Sequence, residues 1–182
     1  MDRRDRIYPQ FATHNAHTIA AVTELAFPTA KVVYVAAGTG FADALSAGAP
    51  GGVLKRPVLL TGKGFVPPAT KAQITRLANP DIIALGGTAV VSNAVIAELD
   101  SLTTGTVRRV SGANRYATSV AVSVDAFTSA DTVFLATGTT FPDALSAAPA
   151  AETLGAPILL TTTDSVPPEA IPDITRLRAS PT

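Results

Sequence analysis

Two loops written alike hold most of the side chains of this chain that could do chemistry: Gly38-Thr39-Gly40-Phe41-Ala42-Asp43 and Gly138-Thr139-Thr140-Phe141-Pro142-Asp143. Each follows an apolar run and opens a helical stretch. At such a junction, free backbone N–H groups and the helix dipole favour an anion, and the strand ends of open α/β sheets are where ligands usually bind. A phosphate or a uronate would suit. The same residues also fit a local role, in which glycine turns the chain while Thr140 and Asp143 cap the helix. An anion would be repelled by Asp43 and Asp143, so those carboxylates are expected to order the loop or bond a sugar hydroxyl. As a dinucleotide fingerprint the loops fail. Asp43 stands at the third glycine position, and the second copy lacks the second glycine.

Four other cationic or aromatic groups enter the candidate set. Arg115-Tyr116 offers a guanidinium fork for a phosphate and a ring to stack on a sugar. Equally, Arg115 can pair with an Asp at an interface while Tyr116 packs. Arg76 and Arg176 recur with the loops, so a periodic ligand could meet both. Their simpler role is to interact with the last carbonyls of a helix. Arg108-Arg109 reads as solvated charge. His14 and His17 lie one helical turn apart but lack a third metal ligand at a defined spacing. Ser46 and Ser146 repeat without a Gly-x-Ser-x-Gly setting or a recurring His, and read as helix residues packed under a sheet. No Walker motif and no Asp-x-Asp pair is present. The chain is expected to bind rather than catalyse, with no cofactor and no metal.

The elements that must position these groups come as a tandem repeat. Residues 33–77 return at 133–177 with an offset of 100 and no gap, and 22 of the 45 aligned positions are identical. Val32–Ala37 is an apolar run ending at Gly38, the pattern of a buried parallel strand. Phe41 to Leu54 predicts a helix loosened by Pro50 and Gly51-Gly52; its second copy ends at Gly155-Ala156-Pro157. Val58–Thr61 and Ile158–Thr161 predict the next strands, and Val66-Pro67-Pro68 opens a helix through Leu77. Asp81–Leu85, Ser92–Leu99 and Val107–Val110 predict strand, helix and strand. This alternation implies an α/β fold of tandem repeats with mostly parallel sheets. Repeat 1 spans 1–104 and repeat 2 spans 105–182. Counterparts of 81–104 would fall at 181–204, so repeat 2 is expected to be truncated before its third strand. An open sheet edge and self-association follow as expectations.

Composition narrows the partners. Lys plus Arg and Asp plus Glu both number 14, so no overall field draws the chain to nucleic acid or to a membrane. Asp43, Lys55 and Arg56 interrupt the most apolar stretch, so no membrane insertion is expected. There is no cysteine, hence no disulfide and no thiolate chemistry. Met1–Arg6 is charged and is followed by Ile7-Tyr8-Pro9-Gln10, which is not a signal peptide.

The ordered motifs resemble the type-2 cell-wall-binding repeats of Gram-positive surface proteins. Arg109-Val110-Ser111-Gly112-Ala113-Asn114-Arg115-Tyr116-Ala117-Thr118, Phe141–Ala147, Pro157–Leu160 and Gly86–Ser92 carry the resemblance. Copy one departs from it: Asn15 and Ala16 replace Arg115 and Tyr116, and Ala42 replaces Pro142. The resemblance implies that the tandem repeats are Rossmann-like or Toprim-like α/β lobes, commonly grouped in threes. It also implies non-covalent attachment to an anionic cell-wall polysaccharide or teichoic-acid-like polymer, and an extracellular place in the cell wall. Catalysis would belong to other domains, and packing with further repeat lobes is part of the same expectation. The other readings of the residues are a Rossmann-like domain binding a small molecule or nucleotide sugar, and a purely structural lobe.

Overall fold

The computed structural model describes residues 15–179. Repeat 1 runs α1 (Ala16–Ala26), β1 (Val32–Ala37), α2 (Ala42–Ser46), α3 (Gly48–Val53), β2 (Val58–Thr61), α4 (Pro68–Arg76), β3 (Asp81–Leu85) and α5 (Asn93–Asp100), and β4 (Val107–Val110) opens repeat 2. Repeat 2 supplies α6 (Arg115–Ala126), β5 (Phe134–Thr137), α7 (Pro142–Thr153), β6 (Ile158–Thr161) and α8 (Ala170–Ala179). The expected single helix from Phe41 is two short ones, broken at Ala47 where Gly48, Pro50, Gly51 and Gly52 weaken helical continuity. In copy two alanines and Glu152 replace all four of those residues, and α7 runs unbroken through Pro149.

The strands form a four-stranded parallel sheet, β2-β1-β3-β4, and a two-stranded parallel sheet, β5-β6. The α/β fold with parallel sheets is therefore as expected. β4 lies just past residue 104 yet pairs with β3, so the first sheet takes its last strand from the start of repeat 2. Alternation along β1 serves two cores. Val33, Val35 and Ala37 join Ile74, Leu77, Val95 and Leu99 on one face. Tyr34 and Ala36 join Ala47 and Val122 on the other. Val122 belongs to α6, so repeat 2 covers one face of repeat 1's sheet.

Equivalent residues of the two repeats meet each other. Phe41 and Phe141 lie 6.0 Å apart between ring centroids. A Cβ at Gly48 would stand 3.5 Å from the Ala148 Cβ, and one at Gly52 would overlap Glu152. Three like-with-like meetings along α2–α3 and α7 require these helices to run parallel and level. The repeats are thus related by rotation about an axis along those helices. The relation is not twofold: α6 packs on α2, while α1 makes no comparable contact with α7.

Among the described residues β5 pairs with β6 alone, which leaves its other edge open. Leu135 on β5 is 49% exposed, whereas its counterpart Val35 is fully buried under α5 and its neighbours.

Candidate functional site

The two look-alike loops stand side by side at the carboxyl ends of β1 and β5. Gly38 and Gly138 close each strand by donating to Thr61 and Thr161, at 2.9 and 2.8 Å. Beyond them Thr39, Gly40, Thr139 and Thr140 are exposed. The edge-to-face Phe41–Phe141 pair holds the loops together. Thr140 does not cap α7. The cap position is Phe141, whose backbone is already helical, and no side chain accepts from the first turn. A capping box needs an extended cap residue, and that geometry is absent here. The Thr139 hydroxyl instead bonds the Thr137 hydroxyl at 2.8 Å.

Arg115 stands between the loops because α6 begins with it. Asn114 caps α6, accepting from Ala117 N at 2.8 Å, and ties it to Glu169. Arg115 donates to the Gly138 carbonyl, and its guanidinium sits 5.8 Å from the Phe41 ring centroid. Tyr116 packs against a cluster that contains Ala42, Leu45, Ala49 and Ala144 from both repeats. Gly138 is required for this approach, since a Cβ there would stand 2.8 Å from the Tyr116 ring. Asp43 is half-buried beside Gly86; a Cβ on Gly86 would overlap its carboxylate. Burial pushes the Asp43 carboxyl above the ordinary carboxylate value, against the opposing pull of Arg115. Its repeat-2 equivalent, Asp143, is exposed.

Other candidates go elsewhere. Arg76 bonds Gln73 at 2.8 Å and the Pro28 carbonyl at 3.1 Å. Arg176 bonds Asp173 and the Phe127 carbonyl, both at 2.8 Å. Both arginines therefore grip the chain that leaves the first helix of their own repeat, at the amino ends of the strands and away from the loops. The acceptors are carbonyls of the residues just past α1 and α6, Phe27, Pro28, Phe127 and Thr128, and not the last carbonyls of the arginines' own helices. Arg108 and Arg109 are not simply solvated charge: Arg108 pairs with Asp125 at 2.6 Å, and Arg109 donates to the Gly86 carbonyl. Asp125 also faces Arg56 at 3.8 Å, and Arg56 donates to the buried Tyr34 hydroxyl at 3.2 Å. Ser46 is buried as expected, but Ser146 is exposed and donates to the Asp143 carbonyl. His17 is exposed on α1, and His14 lies outside the described residues. Among the described residues no group of three potential metal ligands exists, and no helix is long and apolar enough to cross a membrane. Sequence reasoning missed Phe41 and Phe141 as the loop junction. Their exact recurrence between glycine and Asp was the available signal.

The sequence pattern of a family described as Cell wall binding domain 2 (CWB2) matches residues 13–96 and 109–177. The amidase enhancer of Bacillus subtilis (strain 168) is 39% identical over 120 residues, which is 65% of this chain and 16% of that protein. The N-acetylmuramoyl-L-alanine amidase LytC of the same organism is 28% identical over 149 residues, 82% of this chain and 30% of the relative. Cwp6 and Cwp8 from Clostridium difficile share the fold with TM-scores of 0.77 and 0.79. They are 28% and 25% identical, with 86% and 90% of this chain covered and 25% and 28% of theirs. The chain thus spans less than a third of the length of these relatives.

Proposed function

This chain belongs to the Cell wall binding domain 2 family, and from that premise we propose that it attaches non-covalently to an anionic cell-wall polymer, a teichoic-acid-like chain or a charged polysaccharide. Its place would be outside the cell, on the wall of a Gram-positive bacterium. Its role is binding and not catalysis. The observation that carries the reading is the adjacency of the two exposed loops, 38–43 and 138–143, joined by Phe41 and Phe141 with Arg115 between them.

Thr39, Gly40, Thr139 and Thr140 offer hydroxyl and backbone groups to a sugar or phosphate. Arg115 supplies the positive charge, and Asp143 an acceptor for a sugar hydroxyl. Each loop is a weak site. A repeating polymer that engages both at once gains avidity, by about 10²–10⁴-fold in favourable geometry. Arg76 and Arg176 lie at the far ends of the strands and take no part. With one cationic group at the centre, binding should weaken as salt rises.

The test is co-sedimentation of the purified chain with Gram-positive walls before and after acid stripping of their anionic polymers. Capture by intact walls and loss on stripping is the expected result. Equal capture by both would move the ligand to the peptidoglycan itself.

A further inference from the structure

Among the described residues Phe65 is the most exposed aromatic, at 61%, and the turn that carries it is rigid. Residues 62–65 follow β2. Gly62 N and the Thr61 hydroxyl both donate to the Phe65 carbonyl, each at 3.0 Å. The turn is also strapped to α5: Ser92 N donates to the Lys63 carbonyl at 2.9 Å, and Val66 N to Glu98 at 3.0 Å. A Cβ at Gly62 would overlap the Phe65 ring. Gly62 is not among the residues of positive φ, so the chain path does not demand glycine there; the ring does. Repeat 2 builds the same turn without a ring. Thr162 and Ser165 replace Gly62 and Phe65, Thr162 N donates to the Ser165 carbonyl at 3.2 Å, and the two hydroxyls meet at 2.8 Å. The turn therefore closes equally well with a small polar residue at this place. In repeat 1 it instead backs one side of an aromatic ring and leaves the rest in solvent.

The ring stands beside the first loop. β1 and β2 are in register at Ala37 and Thr61, and Gly38 N donates to the Thr61 carbonyl at 2.9 Å. Phe65 thus rises from the same end of the sheet as Thr39 and Gly40, with exposed Lys63 in its own turn. We propose that Phe65 is a platform for a pyranose ring of the wall polymer, a third contact beside the two loops, and that Lys63 meets the negative group which that sugar carries. A pyranose has apolar C–H faces and a polar rim. An aromatic ring takes the face, while the loop hydroxyls and backbone groups take the rim. A bare polyol-phosphate chain has no such face, so the ligand class is a charged polysaccharide. This inference rests on the wall-polymer reading and names the kind of polymer within it.

Gly62→Thr with Phe65→Ser writes the repeat-2 turn into repeat 1, and circular dichroism checks that the variant is folded. Its capture by intact Gram-positive walls is compared with that of the parent and of Phe65→Tyr. The double variant is expected to lose about tenfold in affinity, and Phe65→Tyr less than about twofold. The chain has no tryptophan, so Phe65→Trp places a single fluorescent reporter on the platform. Its emission should shift to the blue with the soluble polymer released from walls by acid, and stay fixed with muramidase-solubilised peptidoglycan from the stripped walls. Emission unmoved by the polymer, at a concentration that displaces the variant from walls, overturns the proposal. So does a folded double variant captured as well as the parent. Both of those results leave the two-loop reading standing. A shift with peptidoglycan alone overturns the assignment to a charged polysaccharide. A parent that no wall captures removes the two-loop reading and this inference together.

Discussion

At the scale of single residues, Asp43 shows how the inter-repeat seam shapes a loop. Its copy Asp143 is followed by the same Ala-Leu-Ser-Ala run but lies in solvent, while Asp43 is half-buried beside Gly86. Gly86 takes a φ of +97°, and its missing side chain leaves room for the carboxylate. Because burial raises the Asp43 carboxyl above its ordinary 3.8, the folded chain holds that proton more tightly than the unfolded chain. The stability linked to Asp43 is therefore present at acid pH and is lost as pH rises through the folded value. Asp43→Asn is expected to melt higher than the parent at pH 7, with the gap closing towards pH 4. Melting curves across that range check it, and a lower melting point at pH 7 would contradict the burial argument.

Among the elements, the helix clamps separate what periodicity reveals from what it hides. The strands were legible because their apolar runs ended at glycine, and α5 because Ser92 precedes Val95, Ile96 and Leu99 at helical spacing. The break at Ala47 was legible only as a loosening, since its glycines and proline sit among good helix formers. The partners of Arg76 and Arg176 were not legible at all. They reach backbone carbonyls 48 or 49 residues away, and no side-chain pattern marks a carbonyl. The clamp also differs between copies: neutral Gln73 orients Arg76, and buried Asp173 orients Arg176 at 2.8 Å. Removing one member of a buried ion pair costs about 3–5 kcal/mol. Arg176 is one-third exposed, so Asp173→Ala should cost about 3 kcal/mol, the low end of that range. Asp173→Gln reproduces the repeat-1 clamp and should cost about 1 kcal/mol, the worth of an ordinary hydrogen bond. Urea denaturation of both variants separates these values; equal losses would show that the charge, not the clamp, matters.

For the whole molecule, the site is a product of the arrangement of repeats. Neither loop has unusual chemistry, and the tandem pattern located both loops without indicating that they adjoin. Their adjacency follows from small residues along α2–α3 and α7, which let equivalent positions meet, and from α6 bridging the two sheets. Ser119 on α6 accepts from Leu160 N at 3.0 Å while Val122 enters the core of the first sheet. Sequence alone therefore placed Gly38–Asp43 and Gly138–Asp143 at strand ends but not beside each other, and it set Arg76 and Arg176 in a ligand set that the topology divides. The central claim is that both loops grip one anionic polymer. The most direct measurement is wall capture by Thr39→Glu, Thr139→Glu and the double variant, each placing a negative charge at an exposed loop position with little effect on the core. Each single variant should lose roughly tenfold in wall affinity, and the double should lose capture altogether while melting like the parent. A double variant that sediments with walls as well as the parent would contradict the account.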